Sequence, residues 1–399
     1  MFTSPTPYHI VPPEDPDESD STVSEHLGGE KRPYLLRIAA SRWSRAARCY
    51  KFLGLGVLCA VALLGSGWLI FQIGHSKGYR EGSSSAIQPA LPPTPPKLSS
   101  PTSTSGAHAD GNNSCTTLSL RREWRSLSRE NKLAYLDAVN CLARTPSVLR
   151  GIGTVYDDFP WVHYQMAPHT HGKVAFLSWH RRFIHVYEQY LQELCGYRGT
   201  LPYWDWTLDW ESLAQSPVFS TTTGFGGDGD PSLPETVGGG RCVTSGPLAG
   251  TLQPLFYGAN KKPHCLSRGF NFSDMPLEAL SPDAVEKALQ ADTYMQFLLD
   301  IENGPHNAIP NAVRGDFYSF TAPYDPLSYL HHAQLDRLWL QWQRRDPETR
   351  FSEYSGSKKS SSQVSLQDSI WMGGLEHHGD VQVAQIMDPE RGELCYRYA

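Results

Sequence analysis

No stretch of the chain reads as a glycine-rich phosphate loop opening a helix, no Gly-x-Ser-x-Gly elbow presents a nucleophilic serine, and no repeat of solenoid period recurs. These absences set aside nucleotide-cradling folds, α/β-hydrolase chemistry and stacked-repeat scaffolds. Charge of one sign is scarce too. The net charge is −6 over 399 residues, and no basic stripe interleaved with aromatics occurs, so nucleic acid is not an expected partner. Long apolar runs are absent apart from one, Phe52 to Ile73 (FLGLGVLCAVALLGSGWLIFQI), which carries no charged residue and is long enough to cross a bilayer as a helix. It lies far from residue 1 and lacks a small-residue cleavage context, so it reads as an anchor and not as a removable signal peptide.

The flanks of that run orient it. Lys31, Arg32, Arg37, Arg42, Arg45, Arg48 and Lys51 crowd its N-terminal side, against Lys77 and Arg80 after it. Positive flanks stay cytosolic, which predicts a single-pass type II membrane protein with everything after the span lumenal or extracellular. Residues 1–51 are then a disordered cytosolic tail, 52–73 the transmembrane helix, 74–112 a Ser/Thr/Pro-rich stalk and 113–399 the functional domain. Cysteine usage agrees with this sidedness. Cys115, Cys141, Cys195, Cys242, Cys265 and Cys395 follow the span, an even number suited to disulfides in an oxidising compartment. Cys242 and Cys265 bracket a Gly- and Pro-rich stretch and are the first candidate pair. Asn112 and Asn271 open Asn-x-Ser sequons, available for glycosylation in that orientation.

What is present in excess is patterned histidine. His163, His171 and His180 converge within HYQMAPHTHGKVAFLSWHRRF, and His306 and His332 follow in PHNAIP and DPLSYLHHAQLDRLW. Two histidine clusters suggest two metal sites. Imidazole suits copper, zinc, iron and nickel, and a zinc hydrolase site would normally include a carboxylate or cysteine. FLSWHRRF and DPLSYLHHAQLDRLW resemble the two copper-binding signatures of the tyrosinase and catechol oxidase family, over roughly residues 115 to 345. The resemblance implies a mainly α domain with a four-helix-bundle core and long loops, holding a binuclear copper site. It further implies a cofactor of two copper ions that use O2 to hydroxylate a monophenol or oxidise an o-diphenol to an o-quinone. A phenolic small molecule or a tyrosine-containing peptide of a fungal pigment or secondary-metabolite pathway is the substrate class it suggests. A one-copper or non-catalytic binding member, and an oxygen carrier, are the rival readings.

Position by position, the resemblance places His163, His171 and His180 on the first copper and His306 and His332 on the second. The middle ligand of the second copper should stand four residues after His306, one helical turn on. Pro310 stands there, and proline has no side-chain donor. His331, a water, or an amide oxygen of Asn307 or Asn311 are open as substitutes; loss of the second copper is the other possibility. The resemblance also implies that Asn307 and Glu302 assist phenol deprotonation. It makes Asp336, one turn after His332, the carboxylate that orients that ligand's other ring nitrogen. His169 occupies a position where some members carry a crosslinking cysteine, and reads as an exposed loop histidine. Trp179, Trp204, Trp206, Trp339, Phe176 and Phe183 read as core packing.

Helical spacing of apolar residues predicts helices in SLSRENKLAYLDAVNCLART, with Ser128 as N-cap, and in FLSWHRRFIHVYEQYLQELCG, ending at Gly196. HHAQLDRLWLQWQRRD and DAVEKALQADTYMQFLLDIEN are two more. Residues 215–275, rich in Gly, Pro and Ser, should be loop. His171 and His180, nine apart, cannot share one helix face, so His171 should sit on the loop entering the helix of His180.

Overall fold

The computed structural model describes residues 115–273, 277–356, 364–375, 379 and 381–399. The tail, the span at 52–73, the stalk and Asn112 lie outside them. Among the described residues no helix is long and apolar enough to cross a membrane.

The described domain is mainly α. Helix α1 (Arg129–Leu142) starts where Ser128 caps it, its hydroxyl accepting from the Asn131 amide at 3.2 Å. Helix α2 (Val155–Thr170) opens on a reciprocal cap: Thr154 and Asp157 each accept from the other's backbone N–H. Helix α3 (Phe176–Cys195) stops at Gly196, whose φ of 64° is the left-handed value glycine adopts without strain. After short helices α4 (Pro282–Leu289) and α5 (Tyr294–Ile301) comes a wide π-type turn, Glu302–His306, leading into α6 (Asn307–Val313), and then α7 (Leu327–Arg344). Helix α3 packs against α7, α1 and α2. It is buried on almost every face, which explains why 15 of its 20 residues, arginines included, are buried.

Two expectations need correction. The single helix read over residues 283–303 is two helices, because Thr293 caps a new start by accepting from the Gln296 amide. Helix α2 was not foreseen, since Pro160 and Pro168 both lie inside it. Each proline removes a backbone hydrogen bond, and tertiary burial of Val155, Tyr156, Phe159 and Val162 offsets that loss.

Residues 215–273 are largely loop, stitched by two-residue strands Arg241–Cys242 and Ser267–Arg268 and by a Cys242–Cys265 disulfide. The other disulfides are Cys141–Cys195, from α1 to the end of α3, and Cys115–Cys395. The last joins the two ends of the domain, where Ser119–Arg121 pairs in parallel with Tyr396–Tyr398. The predicted core aromatics are buried: Trp204, Trp206 and Trp339 have no exposure, and Trp179 and Phe183 almost none.

Candidate metal centre

His163 lies on α2, His171 directly after α2, and His180 one turn into α3. His171 is therefore on the connection between the helices, as its spacing from His180 required. The three rings form a compact triangle with centroid separations of 5.1, 5.3 and 5.0 Å. One ligand nitrogen from each lies within 4.8 Å of the others. His306 comes from the end of the π-type turn and His332 from α7. Their rings are 5.4 Å apart, and the pair abuts the first trio, His306 at 5.6 Å from His171 and His332 at 4.1 Å from His180. All five predicted ligands thus converge. Phe176 lies among them, within 4.7 to 6.2 Å of His171, His180, His306 and His332, so it lines the site as well as packing the core.

The protonation state follows from the surroundings. Burial is the first cause that lowers the pKa of each histidine, reaching about 4 for His163 and His306, and well below the ordinary value for His171, His180 and His332. These imidazoles are neutral at pH 7, the form that ligates metals. His163 Nδ1 donates to the Phe320 carbonyl and His180 Nδ1 to the Phe176 carbonyl, each at 2.7 Å. With those protons placed on Nδ1, both Nε2 atoms carry lone pairs, and they face each other at 3.1 Å. Two acceptors at that distance repel unless a cation lies beside them. The donor set therefore fits a metal, and an all-imidazole set fits copper. Carbonyls on the second ring nitrogen, as here, fix the rotamer and tautomer of such ligands.

A family model, the common central domain of tyrosinase, matches residues 153–345. The tyrosinase-like protein phomQ1′ of Diaporthe leptostromiformis is 44% identical over 306 residues, covering 71% of this chain and 80% of that protein. The chain belongs to the tyrosinase family. Tyrosinase ustQ of Aspergillus flavus is similar at 43% identity over 290 residues, with 71% of this chain and 80% of that protein covered. Among solved structures, a mutant polyphenol oxidase from Thermothelomyces thermophila is similar at 30% identity and a TM-score of 0.62, over 71% of this chain and 89% of that one. The tyrosinase family binds copper, and the three-histidine group lies within the matched region.

The supporting residues are arranged differently from expectation. Asp336 does not reach His332, whose Nδ1 has no hydrogen-bond partner. Its carboxylate instead accepts from Arg181 Nε, and from the Tyr396 and Tyr398 hydroxyls at 2.6 Å each. Asp336 thus holds the residue next to His180 and the C-terminal strand. Glu302 accepts from the Gly172 amide at 2.7 Å and so fixes the residue after His171. Burial, the largest cause, pushes the Glu302 carboxyl up to about 7. The Asn307 side-chain oxygen accepts from His306 Nδ1 at 3.1 Å. His169 is exposed at the end of α2. Reasoning from sequence did not find Phe320, whose carbonyl orients His163 and whose ring lies 5.1 Å from His171, nor Thr170, whose hydroxyl is 3.2 Å from His171 Nδ1. Nothing in the local pattern around Phe320 marks it, because its role arises from a contact 157 residues distant.

Proposed function

We propose that this tyrosinase-family chain is a copper oxidase that uses O2 on a phenolic substrate, hydroxylating a monophenol or oxidising an o-diphenol to an o-quinone. The observation that carries the reading is the face-to-face placement of the two histidine clusters across the His180–His332 stack. Two copper ions held there would supply the redox chemistry, one electron each. The chain's own part is to keep five imidazoles neutral, to fix their rings through the Phe320 and Phe176 carbonyls and Asn307, and to surround them with apolar surface such as Phe176. Glu302 and Asn307 hold the approaches of His171 and His306, and in this reading the Glu302 carboxylate takes the phenolic proton with Asn307 assisting.

The substrate class is a phenolic small molecule or a tyrosine-containing peptide, which the similarity to fungal tyrosinase-like proteins supports. The anchor at 52–73 and the lumenal placement of the domain rest on sequence, with three disulfides as company. Metal analysis of purified protein, together with O2 uptake on a mono- and a diphenol, tests the reading. Copper with phenol-dependent O2 uptake supports it; a protein that takes up no copper overturns it.

A further inference from the structure

The second cluster lacks the third imidazole that Pro310 displaces, and the structure contains a histidine with nothing else to do. His331 has no exposed surface, and neither of its ring nitrogens forms a hydrogen bond of good geometry, the ring merely approaching the His306 backbone. Leaving two polar atoms buried and unpaired costs stability, so such an orphan needs a reason. Its ring lies 5.7 Å from His306, inclined by 26°, and 5.5 Å from His332, while His306 and His332 are 5.4 Å apart. These three rings form a near-equilateral triangle, slightly wider than the one made by His163, His171 and His180.

We infer that His331 supplies the sixth imidazole, completing with His306 and His332 a three-histidine site for the second copper. The inference rests on the copper reading of the whole centre. Neighbouring residues on a helix point about 100° apart, from 3.6 residues per turn, which is why two adjacent histidines rarely share an ion. Here the ring of His306, entering from the π-type turn, lies within reach of both, and bridges that divergence. Unlike the first trio, these three histidines do not each present a nitrogen within 4.8 Å of the others, so closing the wider triangle onto one ion takes rotation about the side-chain bonds of His331, away from the His306 backbone. Of the competing donors, the Asn307 oxygen takes the His306 proton, and the Asn311 side chain is tied along its own helix by its amide nitrogen, which donates to the Asn307 carbonyl at 2.7 Å. His169 is exposed.

The test measures copper per chain and the electron paramagnetic resonance of Cu(II), on purified full-length protein. Wild type should hold two coppers that couple and give little signal. His331→Phe, which keeps an aromatic ring in the cavity, should fall to about one copper per chain with a strong uncoupled signal. Because position 310 lies one turn after His306, adding Pro310→His to His331→Phe should return the second copper. His331→Gln, smaller and polar, guards against misfolding of the phenylalanine variant and should show the same loss, with unchanged circular dichroism. Two coppers of unaltered affinity in both single variants would overturn the inference while leaving the copper reading intact. One copper in wild type and in every variant would also overturn it. A wild type without copper would overturn the underlying reading itself.

Discussion

The imidazoles of His180 and His332 stack face to face, centroids 4.1 Å apart and planes within 1° of parallel. One ring comes from α3 and the other from α7, helices packed directly on each other. The spacing of the two histidine clusters is therefore set by helix packing, and helices hold a site more tightly than loops do. His171 and His306 come from less regular segments. Each has its own restraint, the Glu302 carboxylate beside one and the Asn307 amide on the other.

His180→Ala should remove at least one copper per chain, because the bond it deletes belongs to the complete trio. The control lies on the same helix. His185 is also buried and has no hydrogen-bonded ring nitrogen, but it neighbours Arg121, Arg182 and Tyr396 instead of the clusters. His185→Ala should retain copper. Equal copper loss in the two variants, measured by atomic absorption, would mean that helix packing and not ligation governs the result.

Asp336 makes the opposite prediction to the one its position in the sequence invites. It gathers Arg181, Tyr396 and Tyr398, with Arg121 at 3.7 Å, all in the interior. Removing one partner from a buried charged network typically costs about 3–5 kcal/mol. Asp336→Ala should thus lower unfolding free energy by that order in urea titration, while the folded fraction keeps its copper stoichiometry. Copper loss with unchanged stability would restore Asp336 as the partner of His332.

Glu302 can be separated into charge and geometry. Its carboxylate accepts from the Gly172 amide, and the amide oxygen of glutamine can accept the same bond. Glu302→Gln should therefore keep His171 in place and hold copper, whereas Glu302→Ala frees the segment and weakens copper affinity by about 10- to 100-fold, the usual effect of losing an outer-shell partner. If the glutamine variant binds copper normally yet loses phenol hydroxylation, the carboxylate handles the substrate proton as well.

Much of this architecture was legible in the chain. The helices starting at Ser128 and ending at Gly196 follow local signals, a cap and a left-handed stop, which residues carry with them. The five candidate ligands were marked by the resemblance of two compact motifs to the family signatures, and their rings converge in the fold. What could not be read depends on distant partners. Helix α2 contradicts its own prolines and is held by burial; the break at Thr293 interrupts a continuous apolar rhythm; and Asp336 turns toward Arg181 and a strand 60 residues further on. The same holds for His331. Its sequence position beside a ligand allows a role, but only its burial and unpaired nitrogens single it out from Asn307, Asn311 and His169.

The orientation inferred from flanking charge has its own test at Asn271. This sequon residue is half-buried and its backbone amide donates to the Ala312 carbonyl at 2.8 Å. Expressed in a eukaryotic host, the chain should carry N-glycan at Asn271 or Asn112, and protease added from the cytosolic side should trim the tail before Lys51. Glycan at neither position, together with a protected tail, reverses the topology.

The Cys115–Cys395 disulfide spans 280 residues, against 23 for Cys242–Cys265. In the chain-entropy view, a longer closed loop restricts the unfolded state more, by about 5 kcal/mol for loops beyond 100 residues and about 3 kcal/mol for short ones. The longer bridge also holds the Tyr396–Tyr398 strand beside Ser119–Arg121, and through Tyr396 and Tyr398 it supports Asp336. Both arguments point the same way. Cys395→Ser should destabilise the domain more than Cys265→Ser, by about 2 kcal/mol from loop length alone, in urea titration under non-reducing conditions. Cys115→Ser should match Cys395→Ser, and the double variant should cost no more than either, since one bond is lost in each case. Should Cys265→Ser prove the more damaging, the ends of the domain are held by strand pairing and the buried Asp336 network without help from the bridge, and the Gly- and Pro-rich segment near the centre depends on its own crosslink.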